Sequence, residues 1–159
     1  IQFNDIPLRY NIFNDEMEFQ TPDNKILAIA APEIVEKAVV GENIISNIPY
    51  KIGNKIKRGY FILLTEGNVN LYARPEVRYQ KPKEAAPYKD PEPAKFVERP
   101  HSYYLRLNEE AAVKVESKKD LRNFFSDHQN QVEDFIKENK VKPGKEDKLI
   151  ELVKYYNSL

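Results

Sequence analysis

His101 and His128 are the only two histidines in 159 residues, and cysteine is absent. Thiolate catalysis, disulfide frameworks and cysteine-based zinc sites are therefore out of reach. Neither histidine has a second ligand type at the i+2 or i+4 spacing of a metal motif, so both are expected as solvated or capping side chains, with no metal or cofactor. The serines, Ser46 and Ser102 among them, form no Gly-x-Ser-x-Gly elbow. Ser102 adjoins His101, but adjacent residues of a strand point to opposite faces. Glycines at 41, 53, 59, 67 and 144 make neither a phosphate-cradling loop nor a dinucleotide fingerprint. Carboxylates cluster at Asp15, Glu16 and Glu18 and again at Glu109-Glu110. A glycosidase-type pair must sit ~5–10 Å apart in a cleft. Hairpin-turn carboxylates are expected instead as solvated charges that discourage edge-to-edge aggregation. No catalytic residue is nominated and no enzyme is expected.

The unusual count is aromatic: 10 tyrosines and 8 phenylalanines, with no tryptophan. Tyr60, Tyr72, Tyr79, Tyr88, Tyr103 and Tyr104 fall in or beside the later hairpins and a proline-rich stretch. They are the candidate binding surface, because tyrosine joins an apolar body to a polar tip. Sheets also select tyrosine for its propensity, and core or ordinary sheet surface is its commoner fate.

The chain that must position these residues is 41% hydrophobic and 31% charged, too apolar for disorder and too polar for a membrane protein. Its 25 basic and 25 acidic groups cancel, and no third of the chain carries a single-sign field. Nucleic acid is therefore not an expected partner. No run approaches the ~20 apolar residues of a spanning helix. The chain opens on Ile1 and its only methionine is Met17, which leads us to expect a removed export signal upstream.

Period-two alternation marks the first hairpin. Leu8, Tyr10 and Ile12 lead into a turn at Asn14-Asp15, and Met17 and Phe19 follow. A short strand over Ile26–Ala30 comes next, then one helical turn from Pro32. A second hairpin folds at Gly41-Glu42, where glycine first in a two-residue loop fits a type II′ turn. Gly59–Leu64 is apolar on both parities, as for a central strand covered on both faces. It turns at Glu66-Gly67-Asn68 into Val69, Leu71 and Ala73. The last hairpin runs from Tyr103 to Leu107, turns at Asn108-Glu109-Glu110, and returns through Val113 and Val115. Residues 75–100 hold six of the 11 prolines. Proline removes a ladder donor, so this stretch is expected as an extended surface excursion, a connector rather than a docking ligand.

From Ser117 the period lengthens to about 3.6. Ser117-Lys118-Lys119-Asp120 has the spacing of a capping box, and Asp127 is positioned to cap a second helix. Leu121, Phe124, Phe125, Val132, Phe135, Ile136, Leu149, Val153 and Tyr156 give three short helices more apolar face than they can hide among themselves. They are expected to cover the sheet, with Gly59–Leu64 the candidate underneath. The fold class is thus α+β in one domain, 1–159. An antiparallel, curved meander of about eight to ten strands occupies 1–116, and three short helices of 117–159 pack on it.

Leu8-Arg9-Tyr10-Asn11-Ile12-Phe13-Asn14-Asp15-Glu16-Met17-Glu18-Phe19 resembles the hairpin of a family of uncharacterised exported bacterial proteins. The similarity continues at Lys57-Arg58-Gly59-Tyr60-Phe61, Ala94-Lys95-Phe96 and the ending Leu152-Val153-Lys154-Tyr155-Tyr156-Asn157. The resemblance implies a periplasmic or cell-envelope location and assigns no activity or site residue. The expected function is a non-enzymatic envelope protein that binds a protein or other envelope component through its sheet or aromatic surface. The alternative is a carrier or sensor of a small apolar ligand held between curved sheet and helices.

Overall fold

A computed structural model of the chain describes residues 2–85, 87 and 90–159. The fold is α+β, with two antiparallel sheets and three helices. The smaller sheet holds β1 (Leu8–Asn11), β2 (Glu16–Gln20) and β3 (Ile26–Ala28) in chain order. The larger is a six-stranded meander of β4 (Ala38–Val40), β5 (Asn43–Ile52), β6 (Lys55–Thr65), β7 (Val69–Gln80), β8 (Lys95–Leu107) and β9 (Val113–Val115). A 3₁₀ turn at Pro32–Ile34 joins the sheets. At the β4–β5 turn Gly41 has φ +62° while Glu42 stays at negative φ, the II′ pattern.

Curvature brings the meander back on itself. Ala112, just ahead of β9, donates its N–H to Pro49 O and accepts from Lys51 N–H, both at 2.9 Å. This parallel bridge between Tyr50 and Ala112 closes β5–β9 into a small barrel with a narrow seam. Proline survives inside β5 because its missing N–H falls on this outer edge, where only its carbonyl is used. The β5–β6 hairpin, turning at Gly53-Asn54, was not evident in the sequence. Pro49 and the lysines around the turn interrupt the apolar pattern there.

The proline-rich stretch needs a correction. β7 continues to Gln80 and β8 begins at Lys95, so much of 75–100 is a two-stranded arm and not a connector. Beyond Ala73, β7 no longer pairs with β6. With one edge free, the prolines cost little. The register slips between Arg74 and Glu76, next to Pro75 and opposite Pro100.

The helices are α1 (Lys118–Phe124), α2 (Gln129–Glu138) and α3 (Glu146–Tyr156). Ser117 and Asp120 form the capping box: Ser117 Oγ accepts from Asp120 N–H, and the Asp120 carboxylate accepts from Ser117 N–H. Asp127 does not cap α2. Its carboxylate accepts from the Tyr156 hydroxyl at 2.8 Å, tying α3 to the turn before α2. Leu121, Phe125, Val132, Ile136, Leu149, Leu152 and Val153 cover Val69, Leu71, Ala73, Tyr103, Leu105 and Val115 on the outer face of the barrel. The strands beneath are thus chiefly β7, β8 and β9, while Ile62 and Leu64 of β6 sit at the margin. Past the end of α3, the Asn157 carboxamide accepts from Val69 N–H and donates to Val69 O, both at 2.9 Å, as an added strand would. No helix among the described residues is long and apolar enough to cross a membrane.

Phe125 is fully buried in this core. Truncating Phe125 to Ala should cost about 3–5 kcal/mol in urea denaturation. Phe135 is only half-buried, stacked on Tyr155 with centroids 4.5 Å apart. Phe135→Ala should therefore cost less than about half as much.

Candidate functional site

In the register of the large sheet, Ser46, Ile48 and Tyr50 of β5, Phe61 and Leu63 of β6, Tyr72 and Arg74 of β7, and Tyr104 and Arg106 of β8 share the concave face. Tyr50, Phe61, Tyr72 and Tyr104 fill the barrel and are nearly all buried. Their rings meet edge to face: Phe61 to Tyr104 at 4.9 Å and Tyr50 to Phe61 at 5.1 Å. The Arg74 guanidinium covers this stack at one end, 4.5 Å from the Tyr50 ring centroid and 5.3 Å from that of Phe61.

Asp15 answers that charge. It stands at φ +56° in the β1–β2 turn, a conformation that aspartate tolerates better than most residues. Its Oδ2 accepts from Arg74 Nη2 at 3.0 Å, and its Oδ1 accepts from the Tyr10 hydroxyl at 2.7 Å and from Tyr60 N–H at 3.1 Å. That amide is free because β7 has left β6 by this point. Gly59 makes the approach possible. A Cβ there would lie 2.7 Å from Asp15 Oδ2, 3.2 Å from the Tyr50 ring and 3.3 Å from Arg74 Nη2. Glu18 is also buried, held by Arg9 and Asn11, whose hydrogen bonds depress its pKa. Asp15 and Glu18 are therefore joints of the fold and not solvated turn charges.

The same turn carries Phe13 outward, onto the arm. Phe13 packs on Phe96 at 5.0 Å, and Phe96 packs at 5.6 Å on Tyr79, its partner across the β7–β8 ladder. The three rings remain 56%, 59% and 46% exposed respectively. The six tyrosines nominated as a surface thus separate. Tyr60, Tyr72, Tyr103 and Tyr104 are buried core residues, which corrects that assignment. The barrel is tight enough to swallow rings on its concave face, and the small sheet and helices bury Tyr60 and Tyr103 outside. Tyr79 is exposed, and Tyr88 lies outside the described residues. Phe13 and Phe96 were missed. Their signal is an aromatic residue where polarity is expected, one in a tight turn and one in a proline-rich stretch.

The space between sheet and helices, assigned above to an apolar ligand, is occupied by side chains such as Leu71, Leu105, Leu121 and Leu152 at 0% exposure. Two concavities lie elsewhere. One, bounded by β5, β7 and the segment 33–37, is polar. The other is a shallow apolar hollow beside Ile6, Pro7 and Phe19. His101 stands 3.7 Å from Glu146, and His128 meets Gln131 at 3.0 Å. No protein-family model, curated protein or solved structure matches the chain.

Removing the Asp15 carboxylate (Asp15→Ala) should cost about 2–3 kcal/mol. That is below the ~3–5 kcal/mol of a fully buried pair, because Arg74 and Asp15 keep 20% and 25% side-chain exposure. Chemical denaturation checks it, and Gly59→Ala should destabilise as well.

Alkaline pH tests the buried phenols. Burial raises Tyr10, Tyr60 and Tyr104 above the usual phenol value, with neighbouring Asp15 adding to the rise at Tyr10 and Tyr60. Burial and the adjacent carboxylates of Glu146 and Asp127 push Tyr103 and Tyr156 up to about 12. Neutral phenols favour the folded chain, so their contribution is complete below pH ~10 and fades as pH rises through the raised values. Phenolate absorbance of this group should appear together with loss of the circular-dichroism signal.

Proposed function

We propose that this is a non-enzymatic cell-envelope protein that binds a protein partner through the aromatic patch of Phe13, Tyr79 and Phe96. The patch itself carries the reading. Three aromatic rings are packed together and left open on a projecting arm. Aromatic side chains are enriched at the anchors of protein interfaces, where they bury much area and lose few rotamers. The arm adds unpaired backbone on either side of β7 and β8 beyond the barrel, the kind of edge that takes an extended segment from a partner. Charged side chains along it, including Arg78, Lys95, Glu98 and Arg99, discourage unspecific pairing. The envelope location rests on the resemblance of the first hairpin and the ending to exported proteins.

A double variant, Phe13→Ser with Phe96→Ser, should fold as the wild type does, since both rings are more than half exposed. In co-purification from envelope extracts of the native host, a species retained by the wild type should be lost by this variant. It should still be retained by Ile34→Ser, a control at a 79% exposed apolar residue away from the patch. Equal recovery by all three proteins would remove the patch from the function.

A further inference from the structure

The polar concavity encloses about 320 Å³, at the small end of the ~300–1,000 Å³ of small-molecule clefts. It opens at the end of the barrel opposite Arg74. β4 pairs with β5 only as far as Ile45, and Ala112 bridges β5 again only at Pro49–Lys51. Between these contacts no strand among the described residues pairs with the outer edge of β5; the Arg58 guanidinium donates to Asn47 O there at 2.6 Å, and the cleft, which Arg58 helps to line, occupies that gap. Its floor is Ile48, Leu63 and the Tyr72 ring; segment 33–37 closes it on one side and the Glu109 turn on the other.

Several donors around the cleft lack an acceptor among the described residues. Arg106 is 8% exposed; its Nε donates to Glu110 O at 2.7 Å, and its Nη2 donates to Glu109 O and Oε2. Nη1 has no partner among the described residues. The one carboxylate it meets belongs to Glu109, whose side chain is 96% exposed and mostly in water. Asn47 Oδ1 accepts from Arg58, but Nδ2 has no acceptor among the described residues. Among the described residues Ser46 Oγ has no partner, and the Tyr72 hydroxyl accepts from Asn70 while its own proton finds no acceptor. Ser46, Asn47, Tyr72 and Arg106 are each at least nine-tenths buried. Ser46, Tyr72 and Arg106 line the cleft from the concave face and Asn47 lines it from the edge of β5, and their spare donors are accessible within it and not sealed in the core. The acceptors stand outside, at the rim: Glu33, Glu36, Glu66 and Glu109. Among the described residues only Glu66 and Glu109 of these are paired, with Lys37 and Arg106.

We propose that the cleft binds a free α-amino acid, its carboxylate among the donors of Ser46, Asn47, Tyr72 and Arg106 and its ammonium among the rim glutamates. Inner donors match an anionic group, outer carboxylates match a cationic one, and the volume suits a molecule that carries both a short distance apart.

The test is amide and Arg side-chain NMR of the full chain, titrated with each proteinogenic amino acid up to ~10 mM. At least one should give saturable shifts at Ser46, Asn47, Ile48, Tyr72 and Arg106 with a Kd of about 1 mM or tighter. Its N-acetyl form and its decarboxylated amine should each bind at least tenfold more weakly, since each removes one charge. Ser46→Ala should weaken binding severalfold. So should the rim pair Glu33→Gln with Glu36→Gln, both exposed and outside the core. No saturable shift at these residues would overturn the proposal, and so would equal affinity for the N-acetyl form or wild-type binding by both variants.

Discussion

The carboxylate of Asp15 is the point on which the two sheets depend. Three short strands cannot hold a core alone, and Met17 is buried, with Tyr10 and Leu8 partly so, against Ala38, Ile45 and Tyr60 of the large sheet. Apolar contact fixes no position along that surface. Asp15 does, because it takes one backbone amide, one phenol and one guanidinium from three separate segments. Each partner is available for a reason. The Tyr60 amide is open because β7 diverges from β6 after Ala73. The guanidinium is there because Arg74 closes the aromatic stack. The space is there because residue 59 has no side chain. The divergence that frees the amide also sends β7 outward with β8 as the arm. The docking point and the projecting hairpin therefore share one origin, the parting of β7 from β6 after Ala73.

Curvature explains where the tyrosines went. A sheet rolled tightly enough to bridge Ala112 to β5 encloses a space that a few large rings fill, and Tyr50, Phe61, Tyr72 and Tyr104 fill it. The neighbours of Tyr72 and Tyr104, on the other parity, face the helices, and Tyr60, beside Phe61, faces the small sheet. Both faces of β6 through β8 are buried in consequence, which is why Gly59–Leu64 reads as apolar at every position. The helices have no freedom to dock elsewhere, since Asn157 pairs with both backbone groups of Val69 where β7 begins.

Much of this architecture was legible because local periodicity dictates it. The Leu8–Phe19 hairpin, the Gly41-Glu42 turn, the capping box at Ser117 and the face of Leu149, Leu152 and Val153 all follow from spacing alone. What was hidden depends on which strand edge is free. Pro49, Pro75 and Pro100 argue against strands only if their missing donors face a partner, and they do not. The division into two sheets depends on Asp15, and a carboxylate in a turn looks the same in sequence whether it meets water or Arg74. The nominated tyrosines failed for a related reason. Period two says that Tyr72 and Tyr103 face opposite ways, but not that both directions are covered. Phe13 and Phe96 lie 83 positions apart in the chain, and nothing local announces that the arm brings them together.

The concave face poses one electrostatic problem twice. Arg74 and Arg106 lie on it at opposite ends, with the Tyr72–Tyr104 pair between them in the ladder. A guanidinium this deep needs a counter-charge, because desolvation is not repaid by aromatic contact alone. At the Arg74 end the chain supplies its own, and Asp15 is delivered by the small sheet with both oxygens engaged. At the Arg106 end the only carboxylate in reach among the described residues is that of Glu109, almost wholly in solvent. Backbone carbonyls take two of the guanidinium nitrogens and leave the third without a partner among the described residues. The 33–37 segment runs alongside and brings Glu33 and Glu36 to the rim but no charge to the floor. One end of the barrel is thus closed by an internal ion pair and the other is left for an anion from outside. The asymmetry resides in Asp15 alone: move that carboxylate, and the Arg74 end would present the same unsatisfied cation over the same rings.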